Sequence, residues 1–209
     1  MTEVGEGAPH AQDLERTPFE ILNGDYSVEL RKKDGLVVTW KRDGRIIPVT
    51  WRSIQDYEGN TDIPRGFIQS ARTLGLQVVE VGAGLAEFIP ELALHQERRP
   101  IVIEPIDYRR LIDMLSEASS HELIDSDRAL VSQVVKRARI YADPRLVRLY
   151  PVGIEKIKRY KELRGIADVV IDVVGGLIYT GEMGKWREYI DYLLKDDPPG
   201  KFYHSYHPS

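Results

Sequence analysis

The stretch VVEVGAGLAEF, residues 78–88, decides the fold, because an apolar strand pattern runs into two glycines and then into a helical pattern. Glycines at such a junction let the backbone approach a ligand closely, and the unpaired amides at the start of the following helix face that ligand. The residues from Glu80 to Leu85 are therefore predicted to form a ligand-binding loop between a strand and a helix.

Apolar strands and amphipathic helices alternate on the C-terminal side of this loop, which indicates βαβ units and a parallel sheet. The predicted strands are residues 77–81, 101–103, 147–152 and 169–174, with a fifth in KFYHSYH at 201–207. The predicted helices are residues 61–74, 85–94, 108–118, 127–141, 154–163 and 186–194. An α/β fold with helices flanking the sheet follows from this order.

Residues 26–51 alternate between apolar and polar side chains, and Asp-Gly pairs at 34–35 and 43–44 interrupt the alternation. Asp-Gly between alternating runs is a strong hairpin signal, since glycine accepts the positive φ of a tight turn. We expect a three-stranded antiparallel β meander here. The chain is accordingly divided into a flexible tail at 1–20, a β-meander extension at 21–60 and an α/β domain at 61–209.

Composition limits the classes of function. The 209 residues are 42% hydrophobic and 30% charged, carry a net charge of -4 and contain no cysteine. Because the net charge is negative, no global positive field attracts nucleic acid, so a nucleic-acid partner stays open but is not favoured. The first residues lack a signal-peptide pattern, and Asp168 and Asp172 interrupt the most apolar segment, so we expect a cytoplasmic protein without a membrane partner.

Two acids flank the glycine loop. Glu80 lies two residues before Gly82, and Glu104 ends the next strand in IVIEP. A carboxylate at the end of the second strand can accept hydrogen bonds from ribose hydroxyls, as it does in dinucleotide sites. The Gly-x-Gly-x-x-Gly spacing of those sites is absent, because Leu85, Ala86 and Glu87 follow Gly84. A nicotinamide- or nucleotide-dependent enzyme remains a disfavoured alternative.

The acid-x-Gly-x-Gly pattern at residues 80–84 resembles the cofactor motif of class I S-adenosylmethionine-dependent methyltransferases, and ADVVIDVVGG at 167–176 is similar to their fourth strand. The resemblance covers roughly residues 77–202. It implies a Rossmann-like, mostly parallel sheet, with S-adenosylmethionine as the cofactor. The cofactor-binding residues that it implies are Glu80, Gly82, Ala83, Gly84, Glu104 and Pro105.

The sequence departs from that family at three places. Ala86 stands where a third glycine is frequent, and Pro151-Val152-Gly153 stands where an acid is frequent. The family sheet is usually seven-stranded, yet the sequence stops at Ser209, so the C-terminal strands are expected to be absent. A non-catalytic cofactor-binding or interaction protein with a truncated methyltransferase fold therefore stays as the alternative function.

Methyl transfer from a sulfonium requires the nucleophile and the methyl carbon to be aligned and kept dry, so few side chains are obligatory. A base helps when the acceptor must lose a proton, and the candidates are Asp172, Tyr179 and Glu182. Asp172 has an equally plain interpretation as a strand-end carboxylate bonded to backbone amides. A small-molecule acceptor is favoured, no metal site is predicted, and a homodimer or partner subunit is expected to cover the last strand of the sheet.

Overall fold

A computed structural model describes residues 20–23, 26–31, 35–40, 45–47, 53–60, 62–118, 125–173 and 185–204. The N-terminal strands β1 (Glu20–Asn23), β2 (Tyr26–Arg31), β3 (Gly35–Trp40) and β4 (Arg45–Ile47) form an antiparallel sheet in chain order. The predicted meander is thus present with four strands in place of three. Within the described ranges, no helix is long and apolar enough to cross a membrane.

Two helices follow, α1 (Ile54–Asn60) and α2 (Phe67–Thr73), and the second sheet then begins. Its strands are β5 (Val78–Val81), β6 (Ile101–Ile103), β7 (Arg148–Tyr150), β8 (Val169–Asp172) and β9 (Lys201–His204). All neighbouring pairs are parallel, in the order β7-β6-β5-β8-β9. This is the strand order of doubly wound α/β folds, in which ligands bind beyond the carboxyl ends near the point where the order reverses. The Rossmann-like fold class is confirmed.

Helices cover both faces of the parallel sheet. The remaining helices are α3 (Phe88–His95), α4 (Tyr108–Ala118), α5 (Asp125–Ala142) and α6 (Trp186–Leu193), and two short 3-10 segments span Ile154–Arg159 and Lys161–Leu163. One core lies between the sheet and α2 to α5, and it includes Val78 and Val102. The other lies between the sheet, the 3-10 segments and α6, and it includes Val79 and Val170. Alternation along each strand therefore decides which core a side chain enters.

Three predicted helices differ from the observed ones. The helix predicted from residue 85 begins at Phe88, because residues 83–86 form a turn in which the amide of Ala86 donates to the carbonyl of Ala83 at 3.1 Å. The helix predicted at 154–163 is two 3-10 segments, since the backbone of Tyr160 (φ -102°, ψ 84°) lies outside the helical region. The helix predicted at 61–74 is the shorter α2.

Asp168 joins the amino ends of β5 and β8. Its carboxylate accepts hydrogen bonds from the backbone amide of Gln77 and from the ammonium of Lys195, both at 2.6 Å, and Arg98 lies 3.6 Å away. Burial opposes ionisation, but the bonds from Lys195 and Gln77 outweigh it, so the pKa of Asp168 is lowered from its usual 3.8. Asp168 therefore stabilises the sheet at the edge opposite the predicted ligand loop.

Candidate cofactor site

The buried acidic side chains of the described residues all lie at the carboxyl ends of adjacent strands. Glu80 is in β5, Glu104 directly follows β6, and Asp172 ends β8. Their exposed fractions are 1%, 3% and 5%. Burying a carboxylate costs free energy, and buried acids clustered at one edge of a sheet are typical of binding and catalytic sites. The predicted cofactor edge is thus where the structure concentrates its buried charge.

Backbone and side-chain bonds fix the glycine loop on this edge. The amide of Gly82 donates to the carbonyl of Ile103 at 2.9 Å, which ties the loop to the end of β6. The amide of Gly84 donates to Oε2 of Glu104 at 3.0 Å. The two residues that were predicted to form the glycine loop and to hold the ribose are therefore in direct contact.

Side chains from α4 and α5 hold the carbonyl groups of the same loop. The phenol of Tyr108 donates to the carbonyl of Gly84 at 2.5 Å, and that of Tyr141 donates to Ala86 at 3.0 Å. The guanidinium of Arg137 donates to the carbonyl of Leu85 at 3.1 Å. The two tyrosine rings stack with centroids 4.7 Å apart. The carbonyls of three consecutive residues therefore accept hydrogen bonds from helices α4 and α5, and these bonds fix the conformation of the loop.

Burial controls the ionisation of these groups. It raises the pKa of Glu104 from 4.5 to about 7, against the hydrogen bonds from the amides of Gly84 and Ile106, and the charge of Asp172 raises it further. Burial also raises the pKa of Tyr108 and of Tyr141 well above the usual 10, and the nearby carboxylates add to this effect. Both phenols therefore remain protonated donors at neutral pH, while Glu104 titrates within the physiological range.

Helix α1 contacts the loop at both ends. The phenol of Tyr57 donates a hydrogen bond to Oε1 of Glu80, and its ring stacks on Phe88 with centroids 5.0 Å apart. The amide of Ile54 lies 3.4 Å from a carboxylate oxygen of Glu87, whose other oxygen accepts a 2.5 Å bond from Arg137. The chain before the parallel sheet is thus part of the structure around the loop.

A cleft of about 490 Å³ opens beside Glu104, where the chain leaves β6 and β7. This volume is within the usual range for small-molecule sites. Its walls are mainly apolar, with Asp107 and Arg109 as the charged members. The lining residues are Pro105, Ile106, Asp107, Tyr108, Arg109, Tyr141, Ala142, Pro144, Val147, Leu149 and Pro151.

Comparison with known proteins finds a distant structural similarity and no sequence similarity. No protein-family model matches the sequence, and no curated protein is detectably similar to it. Among solved structures, the crystal structure of spermidine synthase from Thermotoga maritima is similar, with a TM-score of 0.44 and 12% sequence identity. The match covers 85% of this chain and 53% of that protein, so the chain spans about half the length of the matched structure. Similarity at this level carries no argument about activity.

The structure brings most of the predicted site residues together. Glu80, Gly82, Ala83, Gly84 and Glu104 meet at the carboxyl edge. Pro105 lines the adjacent cleft.

The predicted base candidates have different outcomes. Asp172 lies at the same edge, but it shares the side of Val170, so it is on the opposite face of the sheet from Glu80. His204 of β9 is its partner in the strand register. Tyr179 and Glu182 lie outside the described residues.

Within the described part of the chain, four side chains that contact the loop were not predicted as site residues: Tyr57, Tyr108, Arg137 and Tyr141. Tyrosines at helical spacing have the same pattern as ordinary core aromatics, so their periodicity gives no sign of a bond to a loop carbonyl. Arg137 belongs to a strongly charged helix, in which the sequence does not distinguish it from solvent-exposed neighbours. The sequence position of Tyr108 did give a signal, because it lies four residues after Glu104 and begins the helix that follows the carboxyl end of β6.

Proposed function

We propose that the protein binds S-adenosylmethionine on the loop from Glu80 to Leu85 and beside Glu104, and catalyses methyl transfer to a small-molecule acceptor. The observation that supports this best is the set of three buried acids at the carboxyl ends of adjacent strands, at the edge where the two-glycine loop lies. Buried acids that cluster at the carboxyl edge of a parallel sheet are typical of ligand-binding sites.

The residues present fit this cofactor. Glu104 has a carboxylate at the position from which ribose hydroxyls are held in nucleotide sites. The cleft that begins at Pro105 has apolar walls suited to a flat base. S-adenosylmethionine supplies an electrophilic methyl group on a sulfonium, and the acids at the strand ends give this edge the negative charge that a cation prefers.

The protein's own residues would contribute positioning, exclusion of water and acceptance of a proton. The loop is already held by Tyr108, Arg137 and Tyr141, so little entropy remains to be lost on binding. Of the three candidates for the base, Asp172 is the one within the described residues, and it is buried at the end of β8. Tyr179 and Glu182 remain candidates for the same role. A small molecule is the favoured acceptor, and we propose a homodimer or partner subunit at the edge of β9.

The bond between Glu104 and Gly84 also fits a second function, that of a non-catalytic protein which keeps a methyltransferase-type fold. In that case Glu104 would brace the loop, and S-adenosylmethionine bound beside it would not be used for methyl transfer. The two functions differ in one measurable respect, because only the first requires methyl transfer from bound S-adenosylmethionine to an acceptor.

Isothermal titration with S-adenosylmethionine, S-adenosylhomocysteine and NAD tests the proposal. We expect saturable binding of both sulfur compounds, weak or no binding of NAD, and at least tenfold weaker binding to Glu104→Ala, since two charge-assisted hydrogen bonds are lost. Asp113→Ala is the matched control, because it removes an exposed acid from α4 and should bind like the wild type.

Each outcome of the titration decides between the functions. Failure of the wild type to bind either sulfur compound would overturn the cofactor assignment. Binding of NAD in preference to both would favour a nicotinamide-dependent enzyme. Binding of S-adenosylmethionine without methyl transfer to any acceptor in a small-molecule screen would favour the non-catalytic function.

A further inference from the structure

Tyr57 contacts both ends of the glycine loop. Its hydroxyl donates to Glu80, the acid before the glycines, and its ring stacks on Phe88, the first residue of the helix after them. Tyr57 and Phe88 are each 1% exposed, as is Glu80. A single side chain from α1 thus connects the entry and the exit of the predicted cofactor loop.

The ring and the hydroxyl of Tyr57 have separable roles. The ring belongs to an aromatic row in which Phe88 also stacks on Phe67 with centroids 6.0 Å apart, and Phe67 meets the edge of Tyr203 at 5.6 Å. A phenylalanine would fill the same place in this row. The hydroxyl, however, acts on a buried carboxylate, where a donated hydrogen bond fixes the orientation of the acid and offsets part of its cost of burial.

The backbone of α1 supports the same contact. Ile54, at the start of the helix, directs its amide at Glu87, which is the last loop residue before α3. Glu58 accepts a 2.9 Å bond from the amide of Gly66, so α1 is also tied to the start of α2. These bonds hold Tyr57 in place, which means that its hydroxyl reaches Glu80 from a fixed position.

We propose that Tyr57 is a positioning residue of the cofactor loop, which acts through Glu80 and makes α1 a functional part of the site. The part of this inference that concerns ligand binding rests on the proposed function. Its structural content, that the Tyr57 hydroxyl orders the loop, is testable without any ligand.

The first experiment follows amide hydrogen exchange by NMR in the wild type, Tyr57→Phe and the control Tyr192→Phe. Tyr192 is a good control because its hydroxyl also donates to a half-buried acceptor, the carbonyl of Tyr160 at 3.2 Å, but on the opposite face of the sheet. In Tyr57→Phe, the amides of Gly82 and Gly84 should exchange about tenfold faster than in the wild type, while the exchange rates of the amides in α6 should be unchanged. Unchanged exchange in the loop overturns the proposal.

The second experiment measures the affinity for S-adenosylhomocysteine in a double-mutant cycle. Tyr57→Phe should weaken binding about tenfold in the wild-type background and by less than twofold in the Glu80→Met background, because methionine has a similar length but no oxygen to accept the hydrogen bond of the Tyr57 hydroxyl. Tyr192→Phe should bind like the wild type. Equal weakening by Tyr57→Phe in both backgrounds would show a general packing effect and overturn the role through Glu80.

The two experiments separate failure of the inference from failure of the proposed function. If the wild type does not bind S-adenosylhomocysteine, the proposed function fails, and the exchange rates of the loop still decide the role of Tyr57. If the wild type binds and Tyr57→Phe binds equally well, the proposed function stands and the inference is overturned.

Discussion

Replacing Glu104 with glutamine should stabilise the folded protein at high pH. Glutamine keeps a side-chain oxygen for the amide of Gly84 but has no charge to bury. In the wild type, burial raises the pKa of Glu104 from 4.5 to about 7. At about 1.4 kcal/mol per pH unit, holding this carboxylate ionised in the folded state costs about 3 kcal/mol.

The sign follows from proton binding. Between pH 4.5 and pH 7 the folded wild type retains a proton that the unfolded chain has released, so this group stabilises the fold most at low pH. Its contribution is lost as the pH rises through 7. Because Glu104→Gln lacks the titration, its free energy of unfolding relative to the wild type should increase by about 3 kcal/mol between pH 4.5 and pH 8.

Urea unfolding of both proteins at pH 4.5 and pH 8 measures this change. Asp143→Asn is the control, because hydrogen bonds from Arg145 lower the pKa of Asp143 to about 2, so its effect on unfolding should be the same at both pH values. A change of less than about 1 kcal/mol for Glu104→Gln would refute the reasoning, since it would mean that Glu104 is solvated in the folded protein. The same variant should bind S-adenosylhomocysteine more weakly, which would identify Glu104 as a residue that destabilises the fold and serves binding.

Two further substitutions test the ends of the sheet. Asp168→Asn should lower the free energy of unfolding at pH 7 by about 1–2 kcal/mol, because it weakens the bonds to Lys195 and Gln77. Since the pKa of Asp168 is lowered in the folded state, this loss of stability should be full above about pH 4 and should shrink below it. Equal losses at pH 3 and pH 7 in denaturant titrations would contradict this. Arg137→Met should destabilise the protein by about 1–2 kcal/mol and loosen the loop, as it removes the donors to Leu85 and Glu87. Arg139→Met, on the exposed side of the same helix, is its control, and similar unfolding curves for the two variants would argue against the role given to Arg137.

The sequence predicted the strands and the position of the acids well, for a physical reason. Apolar runs at 101–103 and 169–172 are long enough for buried parallel strands, and the carboxyl ends of parallel strands lie at one edge. An acid that follows such a run, like Glu104, is thereby placed at that edge without any knowledge of tertiary contacts. The glycine loop was predicted on the same grounds.

The sequence did not predict contacts that depend on how helices dock. The bond from Tyr57 to Glu80 joins residues from separate elements, and its existence depends on the path of the chain between α1 and β5. The start of α3 was predicted three residues early, because helical periodicity at 85–88 does not reveal that side chains of α4 and α5 bond the carbonyls of Gly84, Leu85 and Ala86. That Asp172 lies on the opposite face from Glu80 follows from strand register, which the sequence alone did not specify.

The strand order has a consequence for how the protein folds. The central strand β5 is the first of its sheet to be synthesised, yet β8, one of its two neighbours, is made much later, and the bond from the amide of Gln77 to Asp168 spans 91 residues. Until β8 emerges, one edge of the apolar segment Val78–Val81 has no partner strand. Sheets that close through such distant pairings fold slowly and expose aggregation-prone edges in the meantime. Nascent chains that end before β8 should therefore depend on chaperones more than the full-length chain does.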